Sequence, residues 1–104
     1  DKNFREKYDI ATSRAVANMN TLSEYLMPFV KVKGKMVAMK GKNGAEELAN
    51  AKSAIKTLNG EIVKCDEFLL PNGDERTIIV VNKKSHTPMQ YPRQGGKIKN
   101  NPLK

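Results

Sequence analysis

The sequence predicts an α/β domain built on a mixed sheet, and three observations carry that prediction. Short apolar runs alternate with helix-period segments in the order strand, helix, strand, helix, strand, strand. The first two strands are joined through a helix, a crossover that makes them parallel, with the right-handed connection such units adopt. The last two runs flank Pro71-Asn-Gly-Asp74, and Asn-Gly between apolar runs marks an antiparallel hairpin.

The first strand covers residues 8–12, where Tyr8 and Ile10 alternate with neighbours of other character, and it stops at Thr12-Ser13-Arg14. Ser13 suits the N-cap of a helix over about 14–30. Ala15, Met19, Leu22, Leu26, Phe29 and Val30 recur at helical spacing and give that helix one apolar face. Pro28 should kink or end its last turn. Lys31-Val-Lys-Gly34 then reads as a turn, with Gly34 suited to positive φ. Met36-Val-Ala-Met39 is a short apolar run, predicted as a strand buried on both faces.

The loop Lys40–Gly44 follows, and Asn43 stands three residues before Glu46, the spacing of a capping box. The second helix runs over about 45–58 with Leu48, Ala51, Ile55 and Leu58 on one side, and Asn59-Gly60 ends it. Strands over 61–70 and 76–83 form the hairpin. Ile78-Ile-Val-Val81 is continuous rather than alternating, which predicts a central strand buried on both faces. Residues 85–104 contain Pro88, Pro92, Pro102, Gly95 and Gly96 without apolar periodicity and are predicted to form an extended tail.

The 104 residues suffice for one small domain with a core, and 29% charged with 38% hydrophobic content is globular rather than disordered. The net charge is +8, and half of it lies in the tail, where Arg93, Lys97, Lys99 and Lys104 face no acidic residue. That balance favours a polyanionic partner, nucleic acid first and an anionic membrane second; a merely solvated basic surface is the other reading. The single cysteine, Cys65, excludes an internal disulfide and a multi-cysteine zinc site and fits a reducing cytoplasm. No apolar run reaches the roughly 18 residues of a membrane helix. Asp1–Lys7 has neither a signal-peptide pattern nor a starting Met or helix cap, so the chain is expected to begin part-way through a longer protein.

Little here points to acid–base or metal chemistry. Cys65 falls in a strand and His86 in the tail with no third partner, metal-ligand spacing is absent, and no paired carboxylates stand at strand ends. No catalytic or metal-ligating residue is therefore predicted. Lys40-Gly-Lys-Asn-Gly44 is a basic strand-to-helix loop that suits an anion or an RNA backbone. It is not a P-loop, because no Gly-Lys-Ser/Thr follows, and an ordinary surface loop is the competing reading. Arg14 is the sharper candidate. Ligands of open α/β sheets bind at the carboxyl ends of strands. A cation at a helix start opposes the helix dipole, which leaves an intramolecular ion pair or a bound ligand as its partner. In the tail, Tyr91 could stack on a base and Arg93 could hold a phosphate, or the tail could strap back over the domain with Tyr91 packing.

Several pieces, in order, resemble the bacterial 16S rRNA (guanine-N7)-methyltransferase G family, also called glucose-inhibited division protein B. They are Tyr8-Asp-Ile-Ala-Thr-Ser-Arg-Ala-Val-Ala17, Val37-Ala-Met-Lys-Gly41, Glu46-Glu-Leu48, Leu70-Pro71 with Asp74-Glu-Arg-Thr77, Thr87-Pro88 followed by Tyr91-Pro-Arg93, and Asn101-Pro-Leu103. The resemblance covers nearly the whole chain. It implies the C-terminal half of a class I (Rossmann-like), S-adenosylmethionine-dependent methyltransferase, with parallel strands and a terminal antiparallel hairpin. Residues 1–84 would belong to that domain and 85–104 would be its basic Pro/Gly-rich tail.

The resemblance further implies that Arg14 contributes to the S-adenosylmethionine site. Lys40 and Arg76 would lie near the substrate face and, with Tyr91 and Arg93, dock RNA. The substrate would be 16S ribosomal RNA or the small ribosomal subunit, in the cytoplasm, with no membrane contact and a monomeric full-length protein. The family's glycine-rich cofactor loop and adenosine-contacting loop have no counterpart here, so the chain alone is expected to be inactive. The rival expectations are a non-enzymatic basic RNA-binding module, whose binding would be salt-sensitive and independent of the methyl donor, and a structural half-domain that only completes the sheet of an upstream partner, with an exposed apolar sheet edge.

Overall fold

The computed structural model describes residues 5–14 and 18–103. Its elements are β1 (Tyr8–Arg14), α1 (Met19–Leu26) running into a 3-10 turn (Met27–Phe29), β2 (Val30–Lys40), α2 (Gly44–Thr57), β3 (Gly60–Leu69), β4 (Glu75–Lys83) and α3 (Gly95–Asn100). The strands make one four-stranded sheet in the order β1-β2-β4-β3. β1 and β2 are parallel, and β4 is antiparallel to both β2 and β3. The α/β class and the mixed sheet are those expected. The second hairpin strand is the one that joins the parallel pair, so β4 is central and β3 lies outside it.

Both longer helices pack on one face of this sheet. Met19 and Leu22 of α1, Leu48, Ala51 and Ile55 of α2, and Leu58 just after it form one core with Met36, Ala38, Ile79 and Val81 of the strands. The predicted apolar side of α2 is thus buried in full. Period 2 turns the intervening strand residues to the other side, where Val37, Ile78 and Val80 are half-buried and Ile10 and Met39 exposed. The two-sided burial expected for 36–39 and 78–81 is therefore met on the helix side alone.

The first helix is shorter than predicted and starts later. Ser13 and Arg14 are the last residues of β1, and Asn18 is the N-cap of α1. Ala15 lies outside the described residues. Pro28 sits in the 3-10 turn that ends the helix, and β2 begins at once with Val30. The turn expected at 31–34 is an irregularity inside β2. Tyr8 pairs with Val30 and Ile10 with Lys35, so β2 carries surplus residues there. Lys33, not Gly34, takes the positive φ of 74°. Gly34 is needed for close approach, because a Cβ on it would stand 2.6 Å from the Asp9 carbonyl oxygen.

The start of α2 repeats this division of labour. Asn43 adopts φ 70° and its side chain makes no capping bond, so the predicted capping box does not form. Gly44 packs against β4, where a Cβ would lie 2.7 Å from Cβ of the buried Thr77 and 2.9 Å from Cβ of Lys40. Gly44→Ala is accordingly expected to cost about 1–3 kcal/mol by overpacking, seen as a lower urea midpoint with an unchanged slope; an unshifted midpoint would show that the loop gives way freely. At the other end of α2, Asn59 takes the left-handed conformation, φ 63°. The hairpin forms as expected, with Leu70 N–H donating to the Asp74 carbonyl and Gly73 N–H to the Leu70 carbonyl.

The tail was expected to hold no element but contains the short helix α3, in which Ile98 is buried. It straps back across the domain with Tyr91 packed in the core, one of the two readings of its sequence. The Arg5 guanidinium donates to the carbonyls of Thr87, Pro88 and Tyr91, and Asn20 Nδ2 donates to the Leu103 carbonyl.

Candidate functional site

The parallel pair and the hairpin bring the candidate residues to one end of the sheet, where β1 and β2 finish and β4 begins. Arg14 pairs with Met39 across β1 and β2, and Met39 pairs with Ile78 across β2 and β4. One step further, where β2 has ended, Arg76 pairs with Phe68 across β4 and β3. Two-residue periodicity puts these rows on the open face of the sheet. They line a cleft of about 630 Å³ that includes Arg14, Met39, Phe68, Arg76 and Ile78. An adjoining depression shares Phe68 and Arg76 and adds Lys42, Glu46, Glu67 and Glu75.

Arg14 is exposed at the strand end, and its side chain has no hydrogen-bond or ion-pair partner among the described residues. The helix-dipole argument does not apply to it, since α1 starts at Met19. Arg76 is only loosely held. One guanidinium nitrogen donates to the neighbouring Glu75 carbonyl at 2.8 Å, and the other stands 3.7 Å from the Asp74 carboxylate. Both cations are thus available to an anion in the cleft.

The other predicted residues sit elsewhere or are occupied. Lys40 also borders the cleft, but its side chain is buried toward the helices, with Nζ 2.8 Å from a Glu47 carboxylate oxygen, so it ties β2 to α2. Tyr91 is 8% exposed and belongs to the core. The Arg93 guanidinium lies against the fully buried Glu24 carboxylate, with Nη2 donating at 2.8 Å and Nε at 3.0 Å, while the Arg93 N–H donates to the same group at 2.8 Å. In this conformation the tail residues hold the strap in place.

A second polar cluster, unforeseen in the sequence, closes the opposite end of the sheet. Lys83 is fully buried, and its Nζ donates to the carbonyls of Met27 at 2.7 Å and Val30 at 2.9 Å and pairs with Glu6 at 3.1 Å. Burial pulls the Lys83 pKa down, and Glu6 offsets only part of that pull. Burial raises the Glu6 carboxyl, but hydrogen bonds from Lys83, His86 and the Thr87 N–H outweigh it and leave it below the usual carboxylate value. The sequence did hold a signal for Lys83, since alternation from Ile79 and Val81 lands on it.

His86 meets Glu6 at 3.1 Å, and the Cys65 thiol, exposed on β3, is pushed up by burial and by the nearby Glu67 and Asp66. Neither forms a nucleophile pair. Among the described residues no cluster of metal-binding side chains occurs, and no helix is long and apolar enough to cross a membrane.

The family of rRNA small subunit methyltransferase G, GidB, matches residues 1–79 of this sequence. The chain belongs to the GidB family. The ribosomal RNA small subunit methyltransferase G of Streptococcus agalactiae is 47% identical over 103 residues, which cover 99% of this chain and 44% of that protein. Proteins of the same name from Streptococcus pyogenes and Streptococcus suis are 46% and 43% identical over the same share of each chain. The chain thus spans about half the length of the curated GidB relatives it matches.

Proposed function

We propose that, within a protein of its relatives' full length, this chain forms the C-terminal half of a class I methyltransferase that moves a methyl group from S-adenosylmethionine to N7 of a guanine in 16S rRNA. The observation that carries the reading is the cleft at the carboxyl ends of the parallel strands, with the Arg14 guanidinium exposed at its edge, in a chain of the GidB family. Open α/β sheets bind ligands at that position. The insertion of the last strand, β4, between β2 and β3 is the arrangement of class I methyltransferase sheets.

The residues present fit such a cofactor at one edge. Arg14 offers a guanidinium to a carboxylate, which is the anionic group of the methionine moiety, and Met39 and Ile78 offer apolar surface beside it. When bound, S-adenosylmethionine supplies an electrophilic methyl group on a sulfonium centre. Guanine N7 carries an in-plane lone pair and no proton, so this chain needs no general base. Its residues have to bind, orient and exclude water, and in-line positioning does the rest. Arg76 and Lys42 supply cations for the RNA backbone. Lys40, Tyr91 and Arg93 serve the site indirectly, by fixing β2 on α2 and the tail on α1.

Replacing Arg14 by Ala in a full-length protein carrying this sequence is expected to weaken S-adenosylmethionine binding about tenfold or more, the scale of one charge-assisted hydrogen bond. Affinity for rRNA should change far less. Calorimetric titration of both ligands checks this, and equal donor affinity in wild type and variant defeats the assignment. Donor-independent, salt-sensitive rRNA binding without methyl transfer would favour a plain RNA-binding module instead.

A further inference from the structure

The cleft contains one exposed aromatic ring to which the reading above gives no task. We propose that Phe68 is a stacking platform for a single unstacked RNA base, and that Arg76 beside it takes the phosphate of the same nucleotide. This rests on the rRNA methyltransferase reading.

Phe68 is 42% exposed near the end of an edge strand, a poor place for a large apolar ring without a partner. Register sets it directly across from Arg76, and the same cleft presents Arg14 on its far strand. Among the described residues lining this cleft there is no carboxylate; Glu67 and Glu75 face the adjoining depression instead. The cleft therefore offers a flat apolar surface with the Arg76 guanidinium directly beside it and that of Arg14 farther along the same face. A nucleotide combines a flat aromatic face with an adjacent negative charge, which is the complement of that arrangement. An apolar peptide would offer neither cation an anion, and an acidic one would leave the ring uncovered. Stacking on an aromatic side chain tolerates any base, so the platform would hold a splayed-out nucleotide while selection comes from elsewhere in the site.

The test uses a full-length protein carrying this sequence, with unmodified small ribosomal subunits and naked 16S rRNA as substrates. Phe68→Leu should raise KM for the RNA about tenfold to a hundredfold, the range of one lost base–aromatic stack. Affinity for S-adenosylmethionine and the thermal midpoint should stay near wild type, and Phe68→Tyr should restore KM to within about twofold. An unchanged RNA KM in Phe68→Leu overturns the proposal. So does a lowered thermal midpoint with donor and RNA affinity falling together, because the ring is then packing against the rest of the protein. A wild-type protein that methylates neither substrate overturns the rRNA reading itself and this inference with it, an outcome distinct from the other two.

Discussion

Lys83→Met is expected to destabilise the protein by about 3–5 kcal/mol, the usual consequence of removing one partner of a buried charge pair. Lys83 Nζ is the shared donor for the Met27 and Val30 carbonyls and for Glu6, and no water reaches this fully buried side chain to replace it. The loss exceeds that of an ordinary surface salt bridge, about 0–1 kcal/mol, because the groups left behind remain shielded from solvent. Urea unfolding of a full-length protein carrying this sequence measures it. Adding Glu6→Gln to Lys83→Met should recover part of the loss, since it removes the stranded carboxylate while the Gln carbonyl can still accept from the Thr87 N–H and its NH2 can turn to His86 Nδ1. A Lys83→Met cost below about 1 kcal/mol would mean that the cluster is open to water and contributes little.

Arg93→Ala and Glu24→Ala are expected to fail in the same way, by loosening the tail. The Glu24 carboxylate is wholly buried in α1 and takes three donors from Arg93, two from the guanidinium and one from the backbone. Burial raises its carboxyl pKa, but the Arg93 side chain and then the Arg93 N–H more than reverse this, so it ends below the ordinary value. A carboxyl with a depressed folded-state pKa stabilises the fold above its unfolded pKa, and that stabilisation is lost as pH falls through the folded value.

For both Glu24 and Glu6 the loss therefore begins below about pH 4.5 and is absent at neutral pH. Thermal midpoints followed from pH 7 to pH 3 should fall less in Glu24→Ala than in wild type, from a lower starting point. At a temperature where all forms are folded, Arg93→Ala should leave rRNA affinity within about twofold of wild type, since its guanidinium is already committed. If RNA binding collapses in Arg93→Ala but not in Glu24→Ala, Arg93 touches RNA and the strap is secondary.

These two clusters mark what local reading of the chain could reach. Residues 45–58 announced a helix and its buried side because Leu48, Ala51, Ile55 and Leu58 repeat at 3 and 4 positions, a signal contained in the segment itself. The hairpin was legible for the same reason, since Asn72-Gly73 and the flanking apolar runs are adjacent in sequence. Glycines were only half legible. Lys33-Gly34 and Asn43-Gly44 signalled irregular backbone, but the residue before each glycine took the positive φ, while the glycine itself made room for a neighbouring strand. A neighbour's approach is a tertiary fact, and no window of sequence contains it.

The sequence by itself settled the family, through short pieces whose order and spacing persist across nearly the whole chain, and with it the α/β order of elements and the placing of Arg14 at a strand end. Tertiary structure decided which cations are tied to a carboxylate inside the fold and which stand at the open cleft. Lys40 goes to Glu47, Lys83 to Glu6 and Arg93 to Glu24, while Arg14, Arg76 and Phe68 line the open cleft. The physical reason is separation along the chain. Arg93 and Glu24 are 69 residues apart, and Lys83 lies 56 and 53 residues from the carbonyls it caps. Helix and strand periodicity correlates neighbours only a few positions apart, so a basic residue looks the same in sequence whether it is buried against a carboxylate or free to meet a phosphate.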